Sequence, residues 1–269
     1  MLVNGKNTDQ IPADDRGLCY GDGLFETIKV VSNEPQLWEK HFQRLQHGCT
    51  VLDLNCAEEA LLKKESARVI AKNNSGILKI ILTRGSGGRG YRPDANASSR
   101  RILSFHGLPD YSESYTEDGI QLYHCATPVS VNARLAGLKT LCRLEQVMAQ
   151  SEWNPDEFAE GLMLDNERRV VEGTRSNIFI VHDETLMTPS LESAGIKGVM
   201  RELILELAEA NDIKILQRQV ALEELIEADE IFVCNSIIGI WPVSDYQGLN
   251  YSKRDMTDQI IKLVKQHFN

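Results

Sequence analysis

The spacing of apolar positions divides this chain into an ordered series of strands and helices. Met1 to Val3 is a short apolar start that turns at Asn4-Gly5, a dipeptide suited to a tight hairpin. Phe25, Thr27 and Ile28 to Val31 form a β-rich run. Residues 37–46 begin a helical pattern, and residues 57–72 form a second amphipathic helix that ends at Asn73-Asn74-Ser75-Gly76. Strands are expected at residues 76–83 and 101–105. Residues 109–118, with Pro, Ser, Tyr, Glu and Asp, read as a linker between two domains, 1–108 and 119–269.

Beyond the linker a new strand series opens at residues 119–123, and a helix is expected over 141–153. Residues 160–165 and 169–173 read as a hairpin turning at Asp165-Asn166-Glu167, followed by a strand near 178–181. Residues 194–207 are a Gly-containing loop entering a strongly amphipathic helix. A strand over 228–236 and a closing helix over 255–268 complete an α/β (α+β) series without internal repeat or low-complexity tract.

Composition narrows the class. The chain has 269 residues, 42% hydrophobic and 25% charged, enough for two ordinary domains with their own cores. A net charge of −10 makes a general nucleic-acid or anionic-membrane binder a poor reading, so any anionic ligand must be held by a local site. No signal peptide and no membrane-spanning run is visible. The six cysteines form no C-x-x-C pair and no metal-ligand spacing with histidine, which reads as reduced thiols in a cytoplasmic protein.

Six stretches carry candidate chemistry. Gly17, Gly21 and Gly23 fall close together before the first long strand, without matching a P-loop or dinucleotide pattern. His41 and Arg44 share a helix face, either solvated or with Arg44 reaching an anion. The loop Arg84-Gly-Ser-Gly-Gly-Arg89-Gly-Tyr91-Arg92 concentrates arginines in an acidic protein, either a disordered turn or a recognition loop for a small anion. Lys139 sits in an apolar run, where it either snorkels outward or loses hydration and becomes a nucleophile. Glu172 closes an apolar strand, either facing solvent or paired with a buried cation. The helix start after Gly198 is a natural phosphate seat, although many helices start this way without binding anything.

Taken in order, these stretches resemble the fold-type IV pyridoxal-phosphate enzymes, which include branched-chain and D-amino acid aminotransferases. The resemblance covers nearly the whole chain. It rests on Arg16-Gly-Leu-x-Tyr20-Gly-Asp-Gly-x-Phe25-Glu-Thr, His41-x-x-Arg44-Leu, Glu172-Gly-x-x-x-Asn177-Ile-Phe, Gly195-Ile-x-Gly-x-x-Arg201 and Asp229-Glu-Ile-Phe. Within the family the chain is most similar to the lyase branch, which eliminates pyruvate from 4-amino-4-deoxychorismate to leave 4-aminobenzoate. The stretches behind that likeness are Arg84-Gly-Ser-Gly-Gly-Arg-Gly-Tyr91 and Gly137-Leu-Lys-Thr-Leu-x-Arg-Leu-Glu-Gln146. Aminotransferases of the family usually carry a tyrosine five residues after the lysine; here that position is Leu144. An aminotransferase on the same fold is the alternative.

The resemblance implies a two-domain fold of the D-amino acid aminotransferase type, with pyridoxal 5'-phosphate at the domain interface and the lysine in the larger C-terminal domain. It implies that Lys139 forms the Schiff base and serves as the catalytic base. Arg44, the main-chain N–H groups of Val199 and Met200, and the Ser236 hydroxyl would hold the phosphate. Glu172 would face the pyridine nitrogen, and Arg89 and Tyr91 would meet substrate carboxylates. It also implies a homodimer and a small-molecule substrate, with no metal.

Overall fold

A computed structural model describes residues 1–71, 74–88, 90–95 and 97–268, and it separates into two compact units. The first contains residues 1–110 and 138–143, the second residues 111–137 and 144–269.

The first unit holds β1 (Leu2–Val3), β2 (Lys6–Asn7), α1 (Arg16–Tyr20), β3 (Gly23–Val31), β4 (Glu34–Pro35), α2 (Trp38–Leu52), α3 (Glu59–Ile70), β5 (Gly76–Thr83) and β6 (Arg100–His106). Its six strands form an antiparallel sheet in the order β2-β1-β6-β5-β3-β4. Asn4 and Gly5 both take positive φ, the geometry a tight hairpin needs. Side chains alternate along β3, so Leu24, Glu26, Ile28 and Val30 share the buried face. β5 contributes Leu78, Ile80 and Leu82 to the same core, and Trp38 and Leu45 of α2 and Leu62 and Ile70 of α3 join it. Each such apolar side chain contributes about 1.5–3 kcal/mol on burial. The expected end of the second helix at Lys72-Asn73 lies outside the described residues.

Residues 138–143 cluster with this unit, not with the C-terminal residues to which the sequence pattern assigns Lys139. The cause is backbone pairing. β4 covers β3 only at Val30 and Val31. At the other end of β3, Phe25 N–H donates to the Lys139 carbonyl at 3.0 Å, and Leu141 N–H donates to the Gly23 carbonyl at 3.0 Å. Extended backbone there delays the helix expected from residue 141, which begins only at Leu144.

The second unit holds α4 (Ser114–Glu117), β7 (Ile120–His124), α5 (Leu144–Gln150), β8 (Glu160–Leu164), β9 (Arg169–Gly173), β10 (Asn177–His182) and β11 (Thr185–Pro189). It continues with α6 (Val199–Ala210), β12 (Ile215–Arg218), β13 (Val220–Ala221), α7 (Leu222–Ile226), β14 (Glu230–Asn235), β15 (Gly239–Tyr246), β16 (Leu249–Asn250) and α8 (Asp255–His267). Its mixed sheet runs β12-β11-β10-β14-β15-β7-β8-β9-β13, with β16 paired to β15. The expected β8–β9 hairpin turns on Asp165, whose Oδ1 accepts the N–H groups of Glu167 at 2.9 Å and Arg169 at 3.0 Å.

Residues 111–118 belong to this unit and not to an independent linker. The polar composition hides two aromatic anchors. Tyr111 and Tyr115 meet the buried Trp241 edge-on, with ring centres 4.9 and 5.0 Å away.

Candidate active site

In the first unit, β3 and the segment paired with it fix Lys139. Its amine lies 4.4 Å from the centre of the Phe25 ring, a cation–π distance. The side chain is half-buried, so neither full exposure nor a purely apolar setting describes it.

On the buried face of the same strand, Glu26 is 1% exposed and grips Arg44 through two nitrogens. Arg44 Nε donates to Oε1 at 2.9 Å and Nη2 donates to Oε2 at 2.5 Å. His41 Nδ1 lies 2.6 Å from the same Oε2. Burial alone would raise the Glu26 carboxyl, but the Arg44 charge and hydrogen bonds from Arg44 and His41 hold it at about 2. Burial drives His41 the other way, below the ordinary histidine range, and the charges of Arg44 and Lys139 add to that against the pull of Glu26. So the shared helix face of His41 and Arg44 is not a solvated surface. Arg44 does reach an anion, and that anion is Glu26.

The arginine-rich loop divides. Arg84 is tied down: its Nε donates to Asp22 Oδ2 at 2.8 Å, and its Nη groups donate to the carbonyls of Asp53 and Leu52 at 2.7 and 2.8 Å. Arg16 shares Asp22 at 2.9 Å and clamps the loop through the carbonyls of Gly90 and Tyr91 at 2.9 and 2.8 Å. Tyr91 is 86% exposed, its ring 5.7 Å from that of Tyr20. Arg89 lies outside the described residues.

In the second unit, Glu172 is buried at the end of β9, and its Oε2 accepts the Ile196 N–H at 2.7 Å. Of the two alternatives that the strand pattern leaves, the solvent-facing one is excluded by this burial, and a backbone N–H is one of the partners the carboxylate finds. Gly195 passes beside this carboxylate at φ 80°; a Cβ there would lie 3.2 Å from Glu172 Oε2 and only 2.7 Å from a Leu191 methyl. Asn177 holds the next stretch, donating to the Ile196 carbonyl at 2.8 Å, with its side chain where a Gly198 Cβ would go. Gly198 is the N-cap of α6, and no side chain caps it. The first N–H groups of a helix lack intrahelical acceptors, and the helix dipole favours an anion there. Val199 and Met200 occupy that first turn. Arg201 serves the scaffold: buried, it donates to the Pro189 carbonyl at 2.8 Å and to Gln217 at 3.0 Å. Ser236 sits in a turn fixed by Asn235, whose Oδ1 accepts the N–H groups of Ile237 and Ile238 at 2.8 and 2.9 Å.

Two groups escape a motif-by-motif reading. Glu26 and the buried Glu160 are both carboxylates on the core side of strands. Glu160 accepts the Thr174 N–H at 3.0 Å and the Ser176 hydroxyl at 2.9 Å, which shapes the loop leading from Glu172 to Asn177. For Glu26 the signal exists: it shares period-two phase with Leu24, Ile28 and Val30, so an acid on that face must find a buried partner. His41 likewise stands three after Trp38 and four before Leu45 on the buried stripe of α2.

The chain belongs to the amino-transferase class IV family, whose match spans residues 23–246. It is 34% identical to the aminodeoxychorismate lyase of Vibrio harveyi over 98% of this chain and 96% of that one. The crystal structure of 4-amino-4-deoxychorismate lyase from Pseudomonas aeruginosa superposes with a TM-score of 0.95 at 43% identity, covering 98% of each chain. The branched-chain amino acid aminotransferase of Escherichia coli shares the fold, with a TM-score of 0.85 at 24% identity over 99% of this chain and 93% of that one.

Proposed function

We propose that this protein is a pyridoxal-phosphate-dependent carbon–oxygen lyase that converts 4-amino-4-deoxychorismate to 4-aminobenzoate and pyruvate. The observation that carries the reading is the full-length likeness to the Pseudomonas aeruginosa lyase, at 43% identity. The products together hold every atom of the substrate, so the reaction needs no oxidant and no second substrate.

The donor set suits the cofactor. An amine lies against an aromatic face, a buried carboxylate is aimed by a backbone N–H, and a helix start lacks a side-chain cap. When bound, the cofactor supplies an electron-accepting ring that makes the proton on the amine-bearing carbon removable. Lys139 would hold it through Nζ and would serve as the base that takes that proton. Glu172 would face the pyridine nitrogen and favour its protonated form. Its hydrogen bond from Ile196 fixes the carboxylate direction, and Gly195 leaves it room. Arg44, the Val199 and Met200 N–H groups and the Ser236 hydroxyl hold the phosphate. Tyr91 and Arg89 receive the substrate carboxylates. Leu144 has no hydroxyl to offer the cofactor, which supports elimination over transamination.

A homodimer is part of the same reading. The first unit exposes Leu18 and Tyr20, and the second exposes Val147 and Met148 on α5; each is apolar surface that a partner copy would cover. A cytoplasmic setting fits the six cysteines, all free thiols. Among the described residues no helix is long and apolar enough to cross a membrane.

The test is direct. Purified protein supplied with cofactor should release 4-aminobenzoate and pyruvate in equal amounts from enzymatically generated 4-amino-4-deoxychorismate, and Lys139→Ala should release neither. Absence of 4-aminobenzoate from the wild-type reaction would overturn the reading.

A further inference from the structure

The first unit contains a buried carboxylate–guanidinium–imidazole cluster that no proposed catalytic step uses. Glu26 projects from β3 among Leu24, Ile28 and Val30, a face where an isolated carboxylate would be strongly disfavoured. Its two oxygens are engaged from α2: Oε1 by Arg44 Nε, Oε2 by Arg44 Nη2 and by His41. Two parallel N–H···O bonds between planar groups fix the plane of a guanidinium as well as its position.

The protonation state of His41 follows from its surroundings. Its ring is fully buried, and Nε2 has no hydrogen-bond partner among the described residues. An imidazolium would strand a second N–H donor there. A neutral ring with its proton on Nδ1 donates to Glu26 and leaves only an unfilled lone pair at Nε2. Glu26 and Arg44 then balance as one negative and one positive charge, and His41 adds none. Ile28, Trp38, Phe42, Leu45, Leu62 and Ile80 line the apolar space beside the cluster, and the Lys139 charge also favours the neutral ring.

We infer that Glu26 and His41 are positioning residues that aim the Arg44 guanidinium, and through it set affinity for the phosphate end of the cofactor. The inference rests on the reading that Arg44 holds that phosphate. Arg44 stands on a four-turn helix but has a long, rotatable side chain. Without the cluster it would lose entropy on every binding event; with it the fork is already fixed. Because Glu26 offsets the charge, Arg44 offers directed donors rather than unopposed positive charge.

The experiment compares pyridoxal 5'-phosphate with pyridoxal, which lacks the phosphate. Holoenzyme is stripped and each form is titrated back, following bound-cofactor absorbance. Glu26→Gln should weaken pyridoxal 5'-phosphate by roughly tenfold or more and leave pyridoxal unchanged. Arg44→Lys should do the same, and Glu26→Gln added to Arg44→Lys should cost little further, because Glu26 acts through Arg44. Equal weakening of both ligands, no weakening, or full additivity in the double variant would overturn the inference. Were Glu26→Gln unable to fold, the His41 pair decides. His41→Asn keeps a donor near the Nδ1 position and should bind near the wild-type level. His41→Phe should lose phosphate-dependent affinity; equal affinities for the two would overturn the inference. Loss in Arg44→Lys with none in Glu26→Gln removes only this inference. Unchanged binding in Arg44→Lys removes the underlying phosphate assignment itself.

Discussion

Phe25 meets Lys139 twice: its N–H donates to the Lys139 carbonyl at 3.0 Å, and its ring centre lies 4.4 Å from the Lys139 amine. One residue of β3 thus fixes both the backbone and the side-chain tip of the lysine. Phe25→Leu keeps the backbone bond and much of the volume but removes the aromatic face. A cation–π contact of ordinary strength converts to a loss of about three- to thirtyfold in turnover. Unfolding temperature should change little by comparison. Wild-type turnover in Phe25→Leu would mean that the ring does not orient the amine.

Glu172→Gln separates charge from shape. The amide oxygen can still accept the Ile196 N–H, so the loop over 195–198 should stay in place. The variant should retain cofactor, while turnover falls roughly tenfold or more, since a neutral amide no longer favours a protonated ring nitrogen. Cofactor titration and steady-state rates on one preparation check both halves.

Gly195→Ala tests the space beside that carboxylate. The position has φ 80°, and an added Cβ would lie 2.7 Å from Leu191 and 2.8 Å from Val171. Strain and overlap together should destabilise the second unit by about 1–3 kcal/mol, read in urea unfolding. Unchanged stability would show that the loop relaxes freely there.

Several elements are legible from local pattern because local pattern determines them. The β8–β9 hairpin is an example: its turn is closed by Asp165, four residues before the start of its partner strand. The helix after Gly198 is another, since its apolar face repeats at helical spacing. The Lys139 segment is not legible. Its apolar run reads as the approach to a helix, yet pairing with β3, more than a hundred residues earlier, holds it extended as far as Thr140. Tyr111 and Tyr115 likewise sit in polar company whose meaning depends on the distant Trp241. In the candidate site, motif order marks Lys139, Arg44 and Glu172. What Arg44 grips is visible only once β3 and α2 face one another.

Acid should expose Glu26. Its carboxyl titrates at about 2 in the fold against an ordinary 4.5, so the cluster stabilises the fold above pH 4.5 and that contribution is lost as pH falls towards 2. The contribution at neutral pH is roughly 3 kcal/mol. Urea unfolding at a series of pH values should therefore show a steep loss of stability in this window. Glu26→Gln should be less stable at pH 7 and flatter below pH 4.5; an identical slope in both proteins would contradict the assignment.

Cys56 should be an unusually acidic thiol. The neighbouring Cys49 thiol lowers it below the ordinary thiol range, against the opposing effect of burial. The same contact, with burial, pushes Cys49 up. Alkylation of the Cys56 peptide by iodoacetamide, followed by mass spectrometry, should rise through pH 7. Cys49→Ala should move that rise towards pH 9, and an unmoved midpoint would remove Cys49 as its cause.

The central claim is elimination at Lys139. One holoenzyme preparation should be divided between 4-amino-4-deoxychorismate, followed by 4-aminobenzoate release, and D-alanine with 2-oxoglutarate, followed by glutamate. Elimination should exceed transamination by about a hundredfold or more, a gap of roughly 3 kcal/mol between the two barriers. Rapid glutamate formation without 4-aminobenzoate would contradict the account and make the chain an aminotransferase.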